Sequence, residues 1–441
     1  MTQRYLDQHA KFMAANGAPD WLVTLRRTGI ERFAALGFPT TKNEDWHFTS
    51  PSAIAEREFT FDAGRSGRVG KADLEAFGFG SDWHTMVFVN GRYAAELSSI
   101  SGIEPGVRLL PLADAWTAAP DLAKRVGTVV SDQPTFTALN SAFMPDGAVL
   151  HVPKDVAVGT PIHLVFVVDG ADAGRVTYPR NLLVVERGAK TTVVESYVGL
   201  TDSSYFTNAV TEVAVGDGAA LNHFKIQREA PRAYHVGTVE AKQGRDSHFV
   251  SFSFATGGAL TRTNIYTRLM GEGCGATLNG LYMLDAEQHC DHQTKIEHVA
   301  PNCFSREVYK GVLDGKSHGV FNGKVYVHPE AQKTDGKQTN NTLLLSEHAQ
   351  MDTKPQLEIF ADDVKCTHGA TVGKLDEMAL FYMKSRGVEA ETARRLLIYA
   401  FAADVLETIE QAEVRKTLER AALERFVRDD AGAHELMAGP K

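Results

Sequence analysis

Cysteine is scarce in this chain. Four cysteines, Cys274, Cys290, Cys303 and Cys366, are spread through 441 residues. No two form a C-x-x-C pair, so neither a self-contained zinc site nor a ferredoxin-type cluster motif is written here. Long apolar runs are missing too: no stretch approaches the roughly 18 uninterrupted residues of a membrane helix. Met1 to Met13 carries Arg4, Asp7, Gln8, His9 and Lys11 in place of the apolar core of a signal peptide. The expectation is a cytoplasmic protein, not a membrane one, whose thiols stay reduced. Basic charge is also in short supply. The net charge is −9 with no long basic run, which argues against nucleic acid as a partner. The 43% apolar content is that of an ordinary globular chain, long enough for two or three domains.

Catalytic motifs are equally thin. Gly315-Lys316-Ser317 resembles the end of a phosphate-binding loop, but the position that should hold the first glycine is Lys310, with Gly311 one place late. The residues that follow, Val320–Val327, read as strand, whereas such a loop must open a helix. Gly271-x-Gly273-x-x-Ala276 matches a loosened dinucleotide fingerprint without a strand–turn–helix unit around it. Neither G-x-S-x-G nor H-E-x-x-H occurs, so hydrolase and zincin readings lose their usual support.

What is present falls into three regions: 1–83 helical, 84–374 rich in strands, and 375–441 helical. In the first, Arg4–Ala15 is expected to be a helix stopping at Asn16-Gly17. A second runs from Pro19-Asp20, with Trp21, Leu22, Leu25 and Phe33 as its apolar face, and ends near Gly37 and Pro39. Lys42-Asn43-Glu44-Asp45-Trp46 reads as a polar patch with its tryptophan at the surface. From His84 the pattern changes to strands, with Asn90-Gly91 as a hairpin turn. Between about 150 and 370, glycine-rich turns each precede alternating β-type residues, for example Gly273-Cys274-Gly275 before Thr277–Leu284. Their spacing, on the order of 25 to 40 residues, fits a stacked solenoid with variable loops. A β-sandwich has similar turn spacing, so periodicity leaves both open. In the last region Asp376 can cap a helix that Gly387 stops. Next come a stripe of Ala393, Leu396, Leu397, Ala400, Phe401, Val405 and Ile409 and a third helix bearing Val414, Leu418, Ala422 and Phe426. The residues from Asp429 onward are polar and small, a frayed end by expectation.

Two polar clusters are candidates for chemistry. Gln288-His289-Cys290-Asp291-His292, with His298 and Cys303 beyond, offers imidazole and thiolate ligands for iron or zinc. On a strand, His289 and Asp291 would share one face, and Cys290 and His292 the other. That makes half a metal site, or simply a ladder of hydrogen-bonded polar residues. In Cys366-Thr367-His368 the i, i+2 spacing sets thiol and imidazole on one side of a strand. They could supply part of an iron coordination sphere if another chain completed it.

The stretch Asp362-Asp363-Val364-Lys365-Cys366-Thr367-His368-Gly369-Ala370-Thr371-Val372-Gly373, followed by Leu380–Gly387, is very similar to the signature of SufD proteins in the SufB/SufD family of iron–sulfur cluster assembly factors. The likeness extends through Tyr309-Lys310-Gly311, Phe321–Val325, Gln338–Ser346, the His289–His298 segment and Pro39…Lys42…Glu44-Asp45-Trp46. It implies a mainly β fold, a right-handed parallel β-helix core flanked by N- and C-terminal helical domains. It implies a non-catalytic scaffold that pairs with SufB through the β-helix and carries the ATPase SufC on its C-terminal helices, around Phe381, Tyr382, Arg386 and Gly387. It also implies that His368, with Cys366 beside it, serves a nascent cluster at the SufB–SufD interface. No cofactor would be tightly bound to the isolated chain, only transient iron or an iron–sulfur cluster shared with SufB. Exposed solenoid edges would allow a homodimer when SufB is missing. Two other readings stay open: a β-helix enzyme such as a polysaccharide lyase or acyltransferase, and a stand-alone metal protein using His289, Cys290, His292 and Cys303.

Overall fold

Strand-forming residues between tight turns cannot pair with their immediate neighbours in a hairpin here, because each turn is followed by a strand running on to the opposite face. The chain therefore coils, and the result is a β-solenoid of about eight turns with helical regions at both ends. The structure is a computed structural model that describes residues 2–15, 17–62, 69–80, 82–130, 133–170 and 174–426. Asn16, expected to stop the first helix, and the tail from Asp429 lie outside these residues, as does the side chain of Phe426.

Among the described residues the strands alternate between two sheets. One face is built by Arg180–Val185, Tyr205–Val215, Tyr234–Gln243, Leu260–Leu269, His289–His298, His318–Val327 and Gln350–Ile359. The other is built by Ile162–Val168, Lys190–Gly199, Ala220–Arg228, His248–Ala255, Gly275–Leu284, Phe304–Leu313, Asp335–Leu344 and Lys365–Gly373. All these pairings are parallel, and equivalent positions stack: Leu260, His289, His318 and Gln350 form one column. A sandwich needs antiparallel sheets. The parallel register thus decides between the two architectures that the turn spacing left open. Antiparallel pairing is confined to the N-terminal end. There His84–Val89 turns back onto Arg92–Tyr93 through Asn90 and Gly91, at φ 51° and 80°, the conformation an Asn-Gly hairpin turn requires. Alternate side chains point inward and fill the coil with residues such as Leu278, Ile296 and Phe321, all inaccessible to solvent. Gly315 takes φ 62° in a solenoid turn and leads into the strand His318–Val327. The phosphate-loop resemblance there is a turn signal.

The span from 84 was expected to be strand, yet it contains helices Leu112–Ala118, Pro120–Ala123 and Thr135–Phe143. The last of these packs on the N-terminal helix Asp20–Leu36. Gly29 makes that crossing close: a Cβ there would lie 2.7 Å from Ala142 N and 2.8 Å from Ala138 O. Aromatic residues Tyr5, Phe12, Phe33, Phe136 and Phe143 seal these helices against the solenoid through Tyr178 and Phe206.

At the other end come helices Glu377–Ser385, Ala390–Leu406 and Ala412–Phe426. The second and third cover the outer face of the second sheet, where Ile398, Ala402, Val405, Leu418 and Ala422 meet Phe224, Phe252, Leu281 and Val312. The buried stripe of the middle helix is rotated from the expected one: Ala400 is exposed, Leu396 and Leu397 are half-buried, and Ile398 and Ala402 take the buried positions. Among the described residues, no helix is long and apolar enough to cross a membrane.

Candidate functional site

A solenoid must end, and among the described residues its last coil has no successor to cover it. Gln350–Ile359 and Lys365–Gly373 are the terminal strands of their sheets, each paired on one side only among the described residues. Their free edges carry unmatched N–H and C=O groups, a ready template for another chain. Register fixes which side chains face the open end. Gly336, Gln338 and Asn340 are buried inward positions, and Cys366, His368 and Ala370 stack directly on them. What would be interior in the next coil is therefore surface here, and His368 is exposed. Cys366 is half-buried beside Leu357, Val364, Val325 and Val327, and burial raises its thiol above the ordinary value. The i, i+2 spacing holds thiol and imidazole on one side of the strand. Two donors do not complete a coordination sphere for iron. Any iron bound here needs ligands beyond these two, and among the described residues no third His, Cys, Asp or Glu joins them.

The His289–His292 cluster divides between the two faces of its strand. Cys290 and His292 point into the coil. His292 Nε2 lies 3.1 Å from Ser253 Oγ, and its ring packs on Tyr282 and Tyr309. Burial drives His292 down to about 3 and pushes the Cys290 thiol well above the usual range. Both are neutral packing groups. His289 and Asp291 face outward and hold the N-terminal segment. The Thr49 hydroxyl donates to Asp291 Oδ2 at 2.6 Å and lies 2.9 Å from His289 Nε2. Arg262 donates to Asp291 at 2.7 Å and to the Asp45 carbonyl at 2.6 Å, with its guanidinium 3.9 Å over the Trp46 ring. Trp46 is thus buried, correcting its expected surface position. Cys303 sits apart, in a turn beside Cys274. Among the described residues, no three His, Cys, Asp or Glu side chains converge as a metal would need. The set His289, Cys290, His292 and Cys303 is not brought together.

A third feature lies just beyond the open end. Asp376 caps the helix Glu377–Ser385, accepting from the backbone N–H of Met378 at 2.8 Å and of Ala379 at 3.2 Å. Gly387 ends the turn at φ 86°. Met378, Phe381 and Tyr382 share one face at i, i+3 and i+4 and are 75%, 68% and 58% exposed. Arg386 reaches back to donate to the Tyr382 hydroxyl at 3.2 Å. Met378 was missed in the sequence, although its three- and four-residue spacing to Phe381 and Tyr382 is the signal that finds it.

Comparison with known proteins bears on this architecture. Residues 166–401 match the family model "SUF system FeS cluster assembly, SufBD core domain", and residues 2–164 match "SufBD protein N-terminal region". The iron–sulfur cluster assembly protein SufD of Escherichia coli is 34% identical over 385 residues, 86% of this chain and 87% of that protein. An iron–sulfur cluster assembly SufBD family protein of Synechocystis is 31% identical over 413 residues, covering 90% and 89% of the two chains. The SufD protein of Bacillus subtilis is 28% identical over 432 residues, 94% and 96% of the two. With the solenoid core and the N-terminal region both matched, the chain belongs to the SufBD family of iron–sulfur cluster assembly proteins.

Proposed function

We propose that the chain is a non-catalytic scaffold subunit of an iron–sulfur cluster assembly complex. In this reading it pairs with a SufB-like paralogue through its open β-helix end and binds a SufC-like ATPase through its C-terminal helices. The observation that carries the reading is the uncapped last coil. Its unpaired strand edges suit a second β-helix, and its former interior presents Cys366 and His368 where that second chain would meet them. A partner supplying further thiolates would complete the coordination sphere for iron or a nascent cluster, which is cargo here. The exposed face of Met378, Phe381 and Tyr382 is the docking element for the ATPase. Its position next to the last coil lets movement of that helix reach the shared interface. ATP-driven association of two ATPase copies would favour whichever arrangement of the paired solenoids it binds better.

The test is co-expression of the chain with SufB-like and SufC-like proteins from the same source, followed by affinity purification and light scattering. A stable three-component complex that loses ATPase when the chain is cut before Asp376 supports the proposal. A chain that stays apart from both partners refutes it.

A further inference from the structure

The inward side chains of the second sheet stack in columns, and one column runs up to the open end. Register places His223, Ser251, Leu278, Glu307, Gln338 and His368 one above another on successive coils. Neighbouring strands lie about 4.8 Å apart, so stacked side chains that share a face are within hydrogen-bond reach. Polar pairs in this solenoid use that reach. In the same column His223 Nδ1 lies 3.1 Å from Ser251 Oγ, and Gln338 Nε2 donates to Glu307 Oε2 at 2.6 Å. Elsewhere the stacked Thr371 donates to Asn341 Oδ1 at 2.7 Å, and Asn181 Nδ2 to Thr211 Oγ1 at 3.1 Å. Gln338 and His368 depart from the pattern. Gln338 is 1% exposed and its Oε1 has no hydrogen-bond partner among the described residues, while His368 directly above it is exposed. A buried acceptor without a donor is costly and calls for a cause.

We propose that Gln338 is a positioning residue for His368, its Oε1 accepting the ring N–H that points away from iron and so fixing the tautomer and aim of the imidazole. This inference rests on the reading of the open end as the place where His368 meets iron. An imidazole that gives one nitrogen to a metal carries its proton on the other, and an oxygen acceptor holds that N–H in nearly all such sites. The neighbours of His368 on its own strand face, Cys366 and Ala370, have no side-chain oxygen. Gln338 Oε1 is the acceptor that register puts beneath the ring. Its amide is held from two sides. Glu307 takes the nitrogen, which leaves the oxygen as the free end. Gly323, on the opposite sheet, gives the amide its room: a Cβ there would collide with Gln338 Nε2 and lie 2.9 Å from its Cδ. Glu307 thus acts through Gln338 from one coil deeper, and neither residue touches iron. In the free chain the imidazole is open to solvent. A metal on its outer nitrogen, held by a second chain, keeps the ring over the amide and closes the bond.

The experiment uses the complex of the full chain with its SufB-like paralogue and SufC-like ATPase, loaded anaerobically with cobalt(II) as a paramagnetic stand-in for iron(II). A histidine bound to that ion shows its ring N–H as a strongly shifted proton signal, which persists in water when the N–H is hydrogen-bonded and buried. The wild type should show such a proton, and His368→Ala should lack it. The double variant Gln338→Leu with Glu307→Leu removes the acceptor without leaving a buried carboxyl unpaired. It should lose the signal to solvent exchange and bind iron(II), measured by chelator competition, roughly 10–100-fold more weakly. The exchanged pair Glu307→Gln with Gln338→Glu returns an oxygen beneath His368 and should restore both. A wild-type complex whose His368 proton is lost to solvent overturns the assignment, and this readout needs no variant at Gln338 to fold. If His368→Ala binds iron(II) like the wild type, the reading of the open end falls and this inference with it. If His368→Ala is weakened while the leucine pair keeps wild-type affinity and proton signal, the inference about Gln338 alone falls.

Discussion

Replacing Arg262 should release the N-terminal segment from the solenoid without unwinding the solenoid itself. The side chain is 2% exposed and Asp291 is 1% exposed. Arg262 makes a 2.7 Å bond to that carboxylate, a 2.6 Å bond to the Asp45 carbonyl and a 3.1 Å bond to Asn264. In Arg262→Ala, Asp291 keeps the Thr49 hydroxyl and the Gln293 amide, at 2.6 and 2.7 Å, but loses the guanidinium that pairs with it. Removing one partner of a buried pair costs about 3–5 kcal/mol, because the remaining charge stays desolvated. The strands carrying both residues are held by coils on either side. Lifting residues 45–49 away is therefore the cheapest way to rehydrate Asp291. The assay is hydrogen exchange at the Trp46 and Thr49 amides, which are bonded to Asn43 O and Trp46 O. At 1.36 kcal/mol per decade, the loss accelerates their exchange by roughly two to nearly four orders of magnitude. The double variant Arg262→Met with Asp291→Leu removes both charges and should recover most of the protection. Exchange within tenfold of wild type in the single variant, or a double variant as damaged as the single, would refute the reasoning.

Gly29→Ala should destabilise the N-terminal helices by about 1–3 kcal/mol, since the new methyl meets backbone atoms that cannot swing aside; a raised urea midpoint, the usual effect of this change in a helix, would count against the close crossing. Acid should weaken the fold early. Burial holds His163 and His292 down to about 3 and His289 and His298 to about 4. The unfolded chain therefore binds more protons below about 6.5, and the stability these residues contribute is lost as pH falls from there toward 4. Melting temperatures across that window should drop well before the carboxylates titrate, and a flat profile down to about pH 5 would contradict it. Phe381→Asp should weaken association with the SufC-like ATPase by about 10–100-fold, the worth of burying one such ring, at unchanged melting temperature because the ring is exposed in the free chain. Unaltered association would remove this helix face from the docking surface.

The rhythm of turns and strands was legible in the sequence because turns and inside–outside alternation are local signals. The choice of a solenoid over a sandwich rested on the family resemblance, since parallel register is a long-range property. The split of His289 and Asp291 from Cys290 and His292 follows from the two-residue period alone. Helix Thr135–Phe143 was hidden because every one of its residues is buried. A helix covered all round has no polar face to reveal a period. Trp46 misled because its neighbours in sequence are polar, while what buries it is Arg262, brought from the middle of the chain by folding. The pairing of Cys274 with Cys303 depends on register between coils, which turn spacing specifies only loosely. The exposure of His368 was equally unreadable. Strand alternation places it inward, and only the absence of a following coil turns that inward side into surface.

The most direct test of the account is anaerobic reconstitution with iron and sulfide of the complex containing this chain, its SufB-like paralogue and the SufC-like ATPase, comparing wild type with His368→Ala. Cluster formation is read by visible absorption and Mössbauer spectra, and assembly by light scattering. The account predicts a complex that assembles as wild type and fails to accumulate the cluster. A wild-type yield of cluster in the variant would contradict it and would leave the open end as a joint between subunits with no part in holding iron.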